Sequence, residues 1–123
     1  MLLLNSKLDS FKRIIIDLKT SFPDTFGYCT LAKMTIYGSC VIFDLDSGKL
    51  DKNFMTTGIL FIFPDVLKIY LPKEMVFSSF SASNGVTMIV WLNPNTKQVG
   101  SYSHYSGINY PNQAYYGQIC WIR

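Results

Sequence analysis

Charged residues are scarce in this chain. They make up 15% of its 123 residues, against about a quarter in typical soluble domains. The net charge is +3 and the lysines and arginines form no run, so the basic stripe expected of a nucleic-acid-binding protein is missing. No stretch approaches the roughly 20 apolar residues that a membrane-spanning helix needs. We therefore expect neither nucleic-acid binding nor membrane insertion.

Motifs for catalysis and metal binding are also lacking. The single histidine, His104, has no nucleophile and orienting acid at a recognisable spacing, and without clustered cysteines or carboxylates it does not form a zinc site. Glycine motifs that bind phosphate are absent. Asp44, Asp46 and Asp51 resemble a calcium loop only faintly, and a hairpin with solvated aspartates explains them more simply. We expect no enzymatic activity, no metal and no cofactor.

The cysteines are few and widely spaced. Cys29, Cys40 and Cys120 do not describe a disulfide framework. A bridge between Cys29 and Cys40 stays open, although free thiols made in a reducing compartment are the simpler interpretation. Three leucines follow Met1 without a basic region before them or a small-residue cleavage site after them, so we predict no secretory signal.

What the chain does have is enough apolar material for one core. Hydrophobic residues make up 49% of the sequence, and its length corresponds to one domain. With so few charges, the surface must take its polarity from serine, threonine, asparagine, glutamine and tyrosine, which are densest after residue 78. Such a surface suits adhesion and extracellular assemblies better than a cytosolic enzyme.

Apolar residues in the first segment recur at spacings of four and three, which is a helical heptad pattern. They are Leu4, Leu8, Phe11, Ile15, Leu18 and Phe22. Asn5 or Ser6 can cap the start and Pro23 closes the segment, so we predict a helix over residues 5–21. Two partners for its apolar stripe stay open: the sheet of its own domain, or identical chains in a short coiled coil.

After Pro23 the pattern changes to short runs of β-branched and aromatic residues separated by turns. The predicted strands are 31–37, 40–45, 57–63, 67–71, 76–81, 86–92, 98–103 and 115–122. The predicted turns are Asp46-Ser47-Gly48, Asn84-Gly85 and Asn93-Pro94-Asn95. This spacing predicts a mainly β fold, an antiparallel β-sandwich or jelly-roll-like head, after a short N-terminal α-helix. We place a helical stalk in residues 1–23 and the head in residues 24–123.

Segment 101–116 combines five tyrosines with three serines, two asparagines, a glutamine and a histidine, and contains no charged residue. Tyrosine offers a large contact area at low entropic cost, and small polar residues offer adaptable hydrogen bonds. The same mixture fits sugars, whose CH faces stack on aromatic rings while amides and hydroxyls bind the sugar hydroxyls. The candidate ligand-binding residues are Tyr102, His104, Tyr105, Asn109, Tyr110 and Asn112. Packing of these tyrosines on the sandwich edge or across a subunit interface is the open alternative.

Five segments carry a resemblance to a known family. They are "LNSKLDSFKRIIIDLKTSF", "MTIYGSCVIFDL", "LPKEMVFSSF", "MIVWLNPNTKQVGSYS" and "YYGQICWIR". With a Leu-Pro pair before a strand and a closing aromatic-Gly-x-Ile-x-Trp pattern, the chain resembles the C-terminal head of bacteriophage tail-fibre and baseplate receptor-binding proteins. In that family a coiled-coil stalk precedes a compact β head.

The resemblance implies a homotrimer at a fibre or baseplate tip. It implies assembly in the host cytoplasm, a place in the virion beside other tail proteins, and a host cell-wall saccharide as ligand. The heptad residues Leu4 to Phe22 would then form the oligomer interface of a trimeric coiled coil. The alternative function is a virion structural or decoration protein without saccharide binding.

Overall fold

The computed structural model describes residues 12–50, 58–83, 85, 87–102 and 113–123. Eight strands, two one-turn α-helices and a 3₁₀ helix lie in these ranges. The strands are β1 Arg13–Asp17, β2 Leu31–Tyr37, β3 Cys40–Leu50, β4 Gly58–Ile62, β5 Val76–Ala82, β6 Thr87–Asn93, β7 Gln98–Tyr102 and β8 Gln113–Ile122. The α-helices are α1 Leu18–Ser21 and α2 Pro23–Phe26, and the 3₁₀ helix is Asp65–Tyr70. None of these helices is long enough to cross a membrane.

All eight strands belong to one antiparallel sheet, in the order β1-β2-β3-β8-β5-β6-β7-β4. The sheet curls on itself: the rings of Phe43 in β3 and Phe61 in β4 have centroids 5.5 Å apart, although four strands separate β3 from β4. One face thus becomes an inner face around the core, and the other becomes an outer face. The predicted mainly β class is confirmed, with its sandwich-like form built from one curled sheet.

Alternation of side chains along the strands decides which residues reach the core. In β2 every second residue is buried, with Met34 completely enclosed at its centre. The centre of the core is aromatic: the rings of Phe26, Phe43, Phe61 and Phe63 contact one another with centroid distances from 4.9 to 6.2 Å. Such tilted and edge-on pairs each add about 0.5–1.5 kcal/mol beyond the burial of their area. This cluster joins β3 and α2 to β4 and Phe63 across the curl.

The predicted strands are confirmed at seven places. Prediction 31–37 coincides with β2, and the other six correspond to β3 through β8 with shifted ends. The turn predicted at residues 93–95 is also present, and the side chain of Asn93 accepts a hydrogen bond from the amide of Asn95 at 3.0 Å. At the other predicted hairpin, Gly85 has the positive φ of +88° that such a turn requires. Asn84 lies outside the described residues.

The strand predicted over residues 67–71 is wrong, because this segment lies mostly in the 3₁₀ helix. Leu67 is buried while Val66 and Ile69 are about two-thirds exposed, so burial follows a helical turn and not a period of two. Pro64, with φ fixed at −57°, precedes the helix and starts its tight turn. An apolar run this short does not distinguish a buried strand from one helical turn.

The turn predicted at Asp46-Ser47-Gly48 is wrong, because β3 continues through these residues. The pairing of β3 with β8 shifts its register between Asp46 and Lys49, which is a β-bulge. Gly48 has φ +66°, and its amide donates to Oδ1 of Asp46 at 3.0 Å. The same residue types favour a turn and a bulge, so the local sequence does not tell whether the strand continues.

The helix predicted over residues 5–21 is wrong at residues 13–17 and confirmed at Leu18–Ser21. Residues 13–17 form β1, antiparallel to β2, and α1 begins only at Leu18. Three successive isoleucines explain the difference, because side chains branched at Cβ favour strands over helices. Asp17 then caps α1, and its carboxylate accepts a hydrogen bond from the amide of Thr20 at 3.3 Å.

The heptad residues predicted to form the oligomer interface, here called the seam, are divided between strand and helix. Ile15 is 53% exposed on β1, while Leu18 is buried and Phe22 half-buried against the core of the same chain. A coiled coil continuing through these three residues is therefore wrong. The remaining seam residues lie outside the described residues: Leu4, Leu8 and Phe11. Residues 13–22, which precede the boundary predicted at Pro23, share the sheet and core of the head.

Strand β8 lies at the centre of the sheet, between β3 and β5. Ile119 is fully buried, and the indole N–H of Trp121 donates to the carbonyl oxygen of Tyr70 at 2.6 Å, which attaches the 3₁₀ helix. Gly117 lies directly against the buried ring of Phe80. A Cβ atom at Gly117 would be 2.4 Å from Cδ1 of that ring, so the close approach of β5 and β8 requires glycine.

Gly117→Ala should lower the free energy of unfolding by about 1–3 kcal/mol, because the added methyl group overpacks the core. Urea denaturation followed by far-ultraviolet circular dichroism measures this change. Adding Phe80→Ala removes the three nearest atoms of the ring, Cδ1, Cγ and Cε1, so the double variant should lose less than the sum of the two single losses. Additive losses would contradict the contact.

The thiols should differ in reactivity. Cys29 is buried and Cys40 and Cys120 are exposed, and all three are free. Burial raises the pKa of the Cys29 thiol to about 11, so its reactive thiolate is scarce near neutral pH. Iodoacetamide at about pH 8 should therefore alkylate Cys40 and Cys120 in the folded protein and Cys29 only after unfolding. Mass spectrometry counts the adducts, and rapid labelling of Cys29 in the native state would contradict its burial.

Candidate functional site

The predicted ligand-binding residues belong to the connection between β7 and β8. Tyr102 is the last residue of β7, where its backbone pairs with Ile89 of β6. The others lie outside the described residues: His104, Tyr105, Asn109, Tyr110 and Asn112. The two strands that this connection joins still define where it leaves the sheet and where it returns.

Four connections lie between strand ends at the same end of the sheet. They are residues 18–30 after β1, which contain α1 and α2, 51–57 after β3, 83–86 after β5 and 103–112 after β7. Pairing of Leu50 with Gln113 and of Gly58 with Ser101 brings the ends of β3, β8, β4 and β7 to this side. We call it the loop end. Connections clustered at one end of a rigid β scaffold are where such proteins commonly carry their binding residues.

The start of β8 is fixed to the scaffold at the loop end. The amide of Tyr115 donates to Oγ of the buried Ser47 at 3.0 Å, and the amide of Ala114 donates to Oγ of Ser83 at 3.1 Å. The ring of Tyr115 is fully buried, whereas the next residue, Tyr116, projects from the opposite face and is 47% exposed. The connection from β7 therefore returns to a rigid base that presents one tyrosine.

A row of polar side chains flanks this exposed tyrosine on the outer face. Tyr116 pairs with Asp46 of β3 on one side and with Ser81 of β5 on the other. Ser81 pairs in turn with Thr87 of β6. Side chains paired across antiparallel strands project from the same face about 5 Å apart. These four residues form a continuous strip next to the loop end, which we call the Tyr116 row.

The adjacent row extends the polar surface. The side-chain amide of Gln118 donates to Oδ1 of Asp44 at 2.5 Å, which holds both groups on the outer face. Oδ1 of Asp46 accepts a hydrogen bond from the amide of Gly48 at 3.0 Å, and a carboxylate has about four acceptor positions. The strip thus joins an aromatic ring face with carboxylate and hydroxyl groups able to bind a polyhydroxylated ligand.

The ligand-binding residues predicted from the sequence include none of the residues of this row. Tyr116 falls in the tyrosine-rich segment without an assigned role, because an adjacent pair of tyrosines suits packing as well as recognition. Successive side chains of β8 point to opposite faces of the sheet, so the two tyrosines have different surroundings. Tyr115 lies on the same buried face as Ile119, and Tyr116 lies on the outer face. Asp46 reaches the row only through the pairing of β3 with β8, which joins distant parts of the sequence and gives no local signal.

The opposite end carries an open depression of about 470 Å³. It is lined by Gly38, Ser39, Ile69, Leu71, Lys73 and Arg123. Nε of Arg123 donates to the carbonyl oxygen of Gly38 at 3.2 Å, and the guanidinium lies 5.2 Å from the centroid of the Tyr70 ring. The arginine therefore connects the β2–β3 turn to the 3₁₀ helix, which is a structural role.

Within the described part of the chain, no group of three histidine, cysteine or acidic side chains is placed to hold a metal ion. No protein-family model matches this chain, and neither the curated proteins nor the solved structures contain a match to it. The Tyr116 row and its position beside the loop end are thus the observations from which a function is inferred.

Proposed function

We propose that this chain is a non-enzymatic, saccharide-binding receptor tip of a bacteriophage tail fibre or baseplate. The observation that carries the proposal is the Tyr116 row, where an exposed ring lies between a carboxylate and a hydroxyl group at the base of the tyrosine-rich connection. Sugar CH groups stack on the ring while Asp46, Ser81 and Thr87 bind hydroxyl groups. Tyr102, His104, Tyr105, Asn109, Tyr110 and Asn112 would extend the site.

The shape of the row indicates weak binding at a single site. A strip on an open sheet face buries less of a ligand than a closed pocket does. Several copies acting together on a repetitive cell-wall polymer offset this weakness through a high effective concentration. A tail tip in the virion, assembled in the host cytoplasm with other tail proteins, presents copies in this way. Residues 13–17 of the helical interface predicted for a homotrimer are a strand, so this proposal needs only that several copies act together and does not rest on a trimer.

A virion structural or decoration role is the second candidate. It is favoured by large apolar residues on the outer face away from the loop end, where Phe77 is 59% exposed and Ile122 is 65% exposed. Exposed apolar groups of this size suit contact with a neighbouring subunit. In this role the tyrosine-rich connection would pack against other virion proteins and would bind no saccharide.

Tyr116→Ala should weaken binding to an array of bacterial cell-wall saccharides by about tenfold or more, because it removes the stacking surface. Tyr37→Ala is the matched control: Tyr37 is 49% exposed but lies beside the β2–β3 turn at the opposite end. The control should bind like the wild type, and both variants should retain the wild-type melting temperature within a few degrees. Equal binding by Tyr116→Ala and the wild type would remove this residue from the site.

The double variant Tyr105→Ala/Tyr110→Ala distinguishes the two candidate functions. As a receptor tip it should fold and assemble normally but fail to attach to host cells. As a structural protein it should fail to oligomerise or to join particles, and the wild type should bind no saccharide. Release of reducing sugar from cell walls by the wild type would instead show an enzyme and overturn both roles.

A further inference from the structure

Among the strands that the structure describes, β1 lies at one edge of the sheet, and the centre of this strand carries no charge. The strand consists of three isoleucines between Arg13 and Asp17, and Ile14 and Ile15 are each about half exposed. Natural edge strands are commonly protected from pairing by a lysine, a proline or a bulge. The pairing of β1 with β2 is regular over all five residues, and its interior contains none of these features.

The β2–β3 turn shows which backbone groups of β1 face the free edge. This is a two-residue turn closed by Tyr37 and Cys40, so those two residues exchange hydrogen bonds. The backbone amide and carbonyl groups of successive residues in a strand point to opposite neighbouring strands. Those of Tyr37 point to β3, so those of Ile36 point to β1, where they bond to Ile14. The amide and carbonyl groups of Ile15 therefore point away from β2, toward the free edge.

The sequence of β1 is complementary to itself in the antiparallel direction. If two copies align about Ile15, Arg13 of each stands opposite Asp17 of the other, and Ile15 stands opposite Ile15. The side chains of these three residues lie on the same outer face, and all three are exposed. Hydrogen bonds from Thr20 lower the pKa of Asp17, so its carboxylate is ionised at neutral pH and attracts the arginine.

The other edge strand is less suited to pairing. The pairing of β4 with β7 is interrupted by a register shift between Ile59 and Phe61. A bulge twists an edge strand and breaks the regular spacing of its outward hydrogen-bonding groups. Strand β4 also has no charged residue that would fix the register of a partner. The regular edge with complementary charges is β1.

We propose that β1 pairs with β1 of a second copy of this chain, antiparallel and centred on Ile15. The two-fold axis passes between the two Ile15 residues, perpendicular to the sheet, so the pair forms one continuous sheet. Each interface contains two Arg13–Asp17 contacts related by this axis. The outer faces of both copies, and hence both Tyr116 rows, lie on the same side of that sheet.

Charge reversal tests the pairing and its register. Light scattering across a concentration series should give twice the mass of one chain for the wild type. Arg13→Asp places two aspartates opposite each other, Asp17→Arg places two arginines opposite each other, and each variant alone should remain monomeric. An equimolar mixture should restore the dimer, because the aspartate introduced in one variant then stands opposite the arginine introduced in the other. A mixture that stays monomeric while the wild type dimerises would rule out this register.

Separate controls keep the test independent of folding and of saccharide binding. Circular dichroism should show that the variants are folded. If loss of the α1 cap unfolds Asp17→Arg, the variant Ile15→Lys is used in its place. It puts two lysines opposite each other on the two-fold axis and should be monomeric. Phe77→Lys, at a similarly exposed apolar residue of the central strand β5, should leave the dimer intact. A monomeric wild type, or a dimer that survives Ile15→Lys, would overturn the proposal whatever the saccharide assay shows.

Discussion

The packing of four phenylalanine rings, Phe26, Phe43, Phe61 and Phe63, is the interaction on which the rest of the structure depends. These rings connect β3 and α2 to β4 and the residue that follows it, which are distant in strand order. This contact holds β3 and β4 together across the core of the curled sheet. With it, the sheet has a buried inner face and an outer face free for contacts. The proposed sugar strip and the pairing edge both require that division.

Strand β8 connects this core to the proposed site. It is paired on both sides, its inward residues are buried with the aromatic cluster, and its first residues are held by Ser47 and Ser83. The outward Tyr116 is therefore positioned by contacts on the other side of the same strand. A binding residue on a central strand needs less ordering when ligand arrives than one on a free loop, and ordering a side chain costs about 0.5–1.5 kcal/mol.

Much of the fold follows from the sequence, because short runs of β-branched and aromatic residues between turns are local signals and β2 adds a clear period-two alternation. The predictions fail where the same local residue pattern is compatible with two kinds of secondary structure. The heptad spacing through Ile15 and Leu18 fits a continuous helix, yet three adjacent isoleucines and pairing with β2 make a strand. The Tyr116 row is beyond local prediction, since Asp46, Ser81 and Tyr116 meet only through long-range pairing. The tyrosine-rich segment does indicate the end of the sheet at which this row lies.

The alternation in β8 also has a consequence for how this protein can change over generations. Tyr115, Ile119 and Trp121 face the core, where most substitutions lower stability. Tyr116 and Gln118 face outward, and substitutions at such positions usually change stability by less than about 0.5 kcal/mol. Selection can therefore alter the outer surface at alternate residues of one strand while the fold is conserved by the residues between them. A single strand thus separates the positions free to diversify from those that must be retained.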